Sequence, residues 1–78
     1  MMHAFIMLNV EPGSEEDVLK QLKALDILEE AYVSYGVYDL VVKVKAKTME
    51  DLTEAVTQKV RGIDKVESTL TLVMTEEQ

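Results

Sequence analysis

The stretch EEAYVSYGVYDLVVKVK, residues 29–45, decides the fold. Glu29 to Tyr35 and Tyr38 to Lys45 are two short runs rich in β-branched and aromatic residues. Between them Gly36-Val37 reads as a two-residue hairpin connection, with Gly supplying the positive φ of a type II′ turn. The segment is therefore a β-hairpin, strands two and three of whatever surrounds it.

Upstream, His3 to Val10 (HAFIMLNV) alternates Ala4, Ile6, Leu8 and Val10 on one side with Phe5 and Met7 on the other, the pattern of a strand covered on both faces. Glu11-Pro12-Gly13-Ser14-Glu15 then turns the chain. Ser14 stands at the N-cap position, and Glu15, Glu16 and Asp17 sit favourably in a first helical turn. Val18, Leu19, Leu22 and Leu25 share one helical face, which predicts a helix to about Leu25. Downstream, Thr48-Met49-Glu50-Asp51 repeats the cap, and Met49, Leu52, Val56 and Val60 line a second helix. Gly62 is expected to supply its C′ stop. Val66 to Met74 (VESTLTLVM) forms a fourth strand, and Thr75 to Gln78 a polar tail expected to fray.

The order βαββαβ has an internal echo, Leu25-Asp26-Ile27-Leu28-Glu29 after the first helix against Ile63-Asp64-Lys65-Val66-Glu67 after the second. Each half is a strand, a helix and a returning strand, which is the α+β ferredoxin-like sandwich. Right-handed crossovers put strands one and three in the middle of a four-stranded antiparallel sheet with both helices on one face. Residues 1–78 then make a single domain.

Two helices leave the other sheet face bare. By alternation it is expected to carry Phe5, Met7, Tyr32, Ser34, Val41, Lys43, Thr69, Thr71 and Val73. An apolar patch of that size marks an interface, and a second copy packed sheet against sheet is the simplest occupant. Phe5, Met7, Tyr32, Val41 and Val73 are the expected dimer contacts.

Composition bounds the function. Of 78 residues 47% are hydrophobic, with 8 basic against 15 acidic, a net charge of −7 and no cysteine. So acidic a chain repels a phosphate backbone, which excludes direct binding of nucleic acid. Disulfides and thiolate metal sites are absent, no apolar run is long enough to span a membrane, and no signal peptide is evident. A cytoplasmic protein is expected, without metal or cofactor. Lys43, Lys45 and Lys47 are read as a solvated stripe. The only histidine, His3, lies at the chain's start, and no nucleophile or phosphate-loop motif is present, so no catalytic residue is assigned.

The richest segment is Tyr35-Gly36-Val37-Tyr38-Asp39. A glycine turn lets a carboxylate approach backbone N–H groups, and Asp39 can pair with an ammonium, the two ends of a free α-amino acid. The plainer reading keeps Gly36 for the turn and Asp39 for a local hydrogen bond. Ser68, Thr69 and Thr71 add hydroxyls on strand four.

Taken with AFIMLNVEPG at the start and GIDKVESTLTLV at the end, this Tyr-Gly-x-Tyr-Asp hairpin resembles the effector-binding half of the Lrp/AsnC family of transcription regulators, the RAM domain. The resemblance implies the same βαββαβ fold, sheet-paired dimers in an αβ-barrel-like arrangement, rings such as octamers, and amino-acid effectors between dimers. By position it implies ligand contacts at Ser34, Tyr35, Gly36, Tyr38, Asp39, Thr69 and Thr71. The family's helix-turn-helix domain is expected to be missing, since the sequence opens directly on the first strand. That resembles the stand-alone form, which acts on DNA through a full-length partner regulator. Leu25 to Leu28 also stand where relatives often have Pro-Gly.

Three other readings share the topology. A dimeric αβ-barrel enzyme, of the cofactor-free monooxygenase or isomerase type, needs an acid or base between sheet and helices, where this chain offers aliphatic residues. A purely structural oligomerisation module needs no ligand. An ACT domain would bind its ligand near Gly13 and not near Gly36.

Overall fold

The computed structural model describes residues 1–74. The elements run β1 (Met2–Val10), α1 (Glu15–Lys23), β2 (Leu28–Val33), β3 (Leu40–Ala46), α2 (Met49–Ala55), a π-helical segment (Val56–Val60) and β4 (Val66–Met74). All neighbouring strands are antiparallel, in the order β2-β3-β1-β4. The two most continuously apolar strands thus lie in the middle, as the sequence implies. The expected frayed tail, Thr75 to Gln78, lies outside the described residues.

Alternation along β1 sorts the molecule into layers. Ala4, Ile6, Leu8 and Val10 are buried under the helices with Leu40, Val42 and Val44 of β3. Val18 and Leu22 of α1, and Leu52, Val56 and Val60 from α2 and the segment after it, close that core. The shortest dimension is 17 Å, the depth of one sheet and one helix layer. Nothing among the described residues covers the second face of the sheet.

Local chemistry fixes the element ends. Pro12-Gly13 forms a tight turn in which Ser14 N–H donates to the Glu11 carbonyl at 3.0 Å, with Gly13 at φ +86°. This is the positive φ that a type II turn places on glycine. Ser14 precedes α1 as expected but caps no helical N–H; its hydroxyl donates back to the Glu11 carbonyl. Thr48 does cap α2, its Oγ1 accepting from Asp51 N–H at 3.1 Å.

Gly62 differs from expectation. Its backbone is not left-handed; Lys65 takes that conformation instead, at φ 75°. The glycine is needed for space, because a Cβ at position 62 would sit 2.8 Å from the Gln58 carbonyl oxygen. The preceding π-helical turn, in which Arg61 N–H donates to the Val56 carbonyl, brings that oxygen close. Gly62→Ala ordinarily gains stability through the unfolded chain. Here the clash is with backbone, and we expect a loss of about 1–3 kcal/mol, read as a lower urea midpoint at unchanged m-value.

Candidate functional site

The hairpin is longer than the two-residue turn the sequence suggested. β2 ends at Val33 and β3 begins at Leu40. Residues 34–39 form the connection, closed by Ser34 N–H donating to the Asp39 carbonyl at 2.8 Å. Tyr35 and Tyr38 therefore belong to the loop and not to strands. Gly36 adopts φ 128°, and Tyr35 and Val37 are 96% and 82% exposed, so the tip stands clear of the body.

Asp39 is the loop's anchor. Its backbone N–H donates to the Leu8 carbonyl at 2.9 Å, and its Oδ2 accepts from Val10 N–H, also at 2.9 Å. One carboxylate oxygen is thus committed to holding the hairpin against the end of β1. Asp39→Ala would leave the buried Val10 N–H without that acceptor, at a cost of about 1–3 kcal/mol. Asp39→Asn keeps an acceptor oxygen and should lose less. Chemical denaturation of the two variants side by side checks both.

The register with β1 corrects the reading of β4. Thr69 pairs with Leu8, Thr71 with Ile6 and Val73 with Ala4. Directly paired residues share a face, so all three point to the helix side and not to the bare one. Val73 is therefore not a contact on the open face, and Thr69 and Thr71 line no surface there. The residues that do face the open side are Ser68, Leu70, Leu72 and Met74, opposite Asn9, Met7, Phe5 and His3.

Phe5, Met7, Tyr32 and Val41 hold the places expected of them on that face. Met7 pairs with Val41 and Leu70, Val41 with Tyr32, and Phe5 with Lys43 and Leu72. Leu70 and Leu72 remain 42% and 49% exposed. The face is thus more apolar than the sequence reading made it. At its rim His3 Nδ1 lies 2.7 Å from Glu29 Oε1. The Tyr32 hydroxyl donates to Glu30 Oε1 at 2.8 Å, and that carboxylate raises the phenol's pKa above its ordinary value.

The two threonines are parted as well. Thr69 lines a polar cavity of about 320 Å³ with Arg61, Val66, Glu67 and Ser68. Thr71 lines a separate apolar groove of about 270 Å³ beneath Met49, Leu52 and Val56. Of the pair, Thr69 lies nearer the hairpin's anchor: Leu8 is its partner on one side and accepts from Asp39 N–H on the other. Arg61 and Glu67 were not singled out by the sequence. The signal was slight, a lone arginine just beyond a helix.

A two-layer βαββαβ unit with one bare apolar face and a projecting glycine hairpin is the α+β ferredoxin-like fold that the sequence implies. The chain belongs to the Lrp/AsnC ligand binding domain family, whose sequence model matches residues 3–78. It is 36% identical over 58 residues to the regulatory protein AsnC of Haemophilus influenzae, covering 74% of this chain and 39% of that protein. The HTH-type transcriptional regulator FL11 of Pyrococcus furiosus is 34% identical over 71 residues, covering 91% of this chain and 46% of that one. This chain therefore spans less than half the length of either regulator. Among solved structures, a hypothetical protein from Pyrococcus horikoshii superposes with a TM-score of 0.92 at 39% identity, over 99% of this chain and 93% of that one.

Proposed function

We propose that this protein is a non-enzymatic amino-acid sensor whose ligand biases the assembly of sheet-paired homodimers into higher rings, or their association with a full-length Lrp/AsnC regulator. The observation that carries the reading is the match to the family's ligand binding domain over residues 3–78. The open apolar face supports the dimer, since Phe5, Met7, Val41, Leu70 and Leu72 are exposed or half-exposed in the protomer. Pairing two such faces is the ordinary way to bury them.

Ser34, Tyr35, Gly36, Tyr38 and Asp39 then form the hairpin side of the ligand site, with Thr69 across β1 and Thr71 one pair further along. A cytoplasmic location fits this role; no helix among the described residues is long and apolar enough to cross a membrane. The non-catalytic assignment is supported by the helix-facing core, which is aliphatic around Ile6, Leu8, Leu22 and Leu52, and by His3, held by Glu29 at the sheet's rim.

Ligand alters assembly only through a difference in affinity between the assembled and separate states. The test is a thermal-shift panel of the twenty standard amino acids. A ligand at 100 times its dissociation constant adds about 2.7 kcal/mol, and each kcal/mol moves the midpoint of so small a domain by roughly 4–8 °C. A shift with one or a few amino acids identifies the effector. A flat panel removes the sensor and leaves assembly alone.

A further inference from the structure

We propose that the hairpin tip of one copy, led by Tyr35 and Val37, docks head to tail into the apolar groove that α2 and the π-helical segment form over β4 of a neighbouring copy. The inference rests on the assembly reading above and names the two surfaces that join one dimer to the next. Tyr35 and Val37 are the two most exposed large hydrophobic side chains among the described residues. From Ala31 to Tyr38 the sequence holds no charged residue, in a chain of which 29% is charged. The loop is already tied down, by Ser34 N–H on the Asp39 carbonyl and by Asp39 on Leu8 and Val10. A projection fixed in this way loses little freedom when it docks, and tyrosine is among the commonest anchors of an interface.

The groove is the matching surface. Met49, Leu52, Val56 and Val73 line it, with threonine hydroxyls between them and no charged side chain. By contrast, the cavity over Ala46 and Ala55 carries Lys47, Asp51, Glu54 and Lys59, and that at the start of β4 carries Arg61 and Glu67. Met49 stands 46% exposed at the rim, while Leu52 and Val56 are buried. At about 270 Å³ the groove falls below the roughly 300–1,000 Å³ of small-molecule pockets. It has room for a side chain or two. The hydroxyls of Thr53, Thr57 and Thr71 offer the phenol of Tyr35 the hydrogen-bond partner that a buried tyrosine needs.

Two facts make a second copy the occupant. The tip joins β2 to β3 and the groove lies over β4, at the far edge of a sheet ordered β2-β3-β1-β4, so a chain cannot fill its own groove. Each copy also carries a net charge of −7. Copies repel one another wherever carboxylates meet, whereas this contact joins two uncharged surfaces and strips water from no ion. A contact between different surfaces at opposite edges is heterologous, and it closes into a ring when the rotation per copy allows.

The experiment is sedimentation velocity of the intact protein over a hundredfold range of concentration, with variants of tip and groove. Tyr35→Ser with Val37→Ser, and separately Thr57→Glu, should each raise the concentration at which dimers associate further by at least about tenfold. All three side chains are exposed, so the fold should survive. Gln58→Glu adds the same charge one residue away, outside the groove, and should associate as the parent does. The chain has no cysteine, so Val37→Cys and Thr57→Cys can be mixed and oxidised. A disulfide-linked pair should form in that mixture far faster than in either variant alone. Larger species that persist in the tip or the groove variant, or cross-linking no faster than between Val37→Cys and Gln58→Cys, overturn this docking while the assembly reading stands. A parent that never exceeds a dimer overturns the docking and the ring together.

Discussion

Leu72→Asp should convert the protein to a monomer at concentrations where the parent is a dimer. Leu72 pairs with Phe5 on the open face and is half exposed in the protomer, so its replacement costs the isolated fold little. In a two-fold dimer the same change appears twice. Each copy would bury a carboxylate among Phe5, Met7 and Leu70 without a designed partner, at several kcal/mol per ion. The dimer's dissociation constant should rise at least about a thousandfold. Light scattering behind a sizing column, together with far-ultraviolet circular dichroism, reads both halves of the expectation. A dimer mass retained in a folded variant would refute pairing through this face.

That prediction uses a residue the sequence reading left out, and the reason is physical. Alternation tells which residues of a strand share a face; it does not tell which face is covered. For β1 and β3 both sides are apolar, and the hydrophobic set under the helices was legible because strand periodicity and helix periodicity agreed. For VESTLTLVM the question turned on register. The slip at Asn9 and Val10 leaves Glu67 unpaired and sends Leu70 and Leu72 outward. Nothing local to the sequence marks such a slip. The expectation that threonine faces out and leucine faces in fails here because the outward face is itself apolar, while Thr71 sits under an edge that the helices cover incompletely.

The hairpin shows the complementary limit. Its position and its glycine were legible, since few residues other than Gly36 take a φ of 128° readily. Its length was not. Tyr35 and Tyr38 have strand propensity, yet the ladder stops at Val33 and Leu40 because Asp39 spends its hydrogen bonds on Leu8 and Val10 of β1. A side chain satisfying backbone groups of a distant strand decides where the loop begins. The plainer reading of Asp39, a hydrogen bond within its own turn, is therefore not what forms: its carboxylate accepts from Val10 N–H on β1 instead.

Ile6→Ala should do the reverse of Leu72→Asp, although Ile6 stands next to Phe5 in the chain. Ile6 is fully buried and sits between Val42 and Thr71 in the sheet. Its truncation removes apolar surface from the helix-side core and leaves a cavity that two flanking strands and two helices cannot close, at a cost of about 2–5 kcal/mol. In so small a domain that is a fall in midpoint of roughly 10 °C or more. The bare face is untouched, so where the variant is folded its mass should be the parent's. Because dimerisation adds stability by mass action, the melting midpoint of Ile6→Ala should still climb with protein concentration. That of Leu72→Asp should not. Melting both variants across a hundredfold range of concentration separates the two faces of one strand. Equal concentration dependence in the two would mean that the open face carries no dimer, whatever its apolar content.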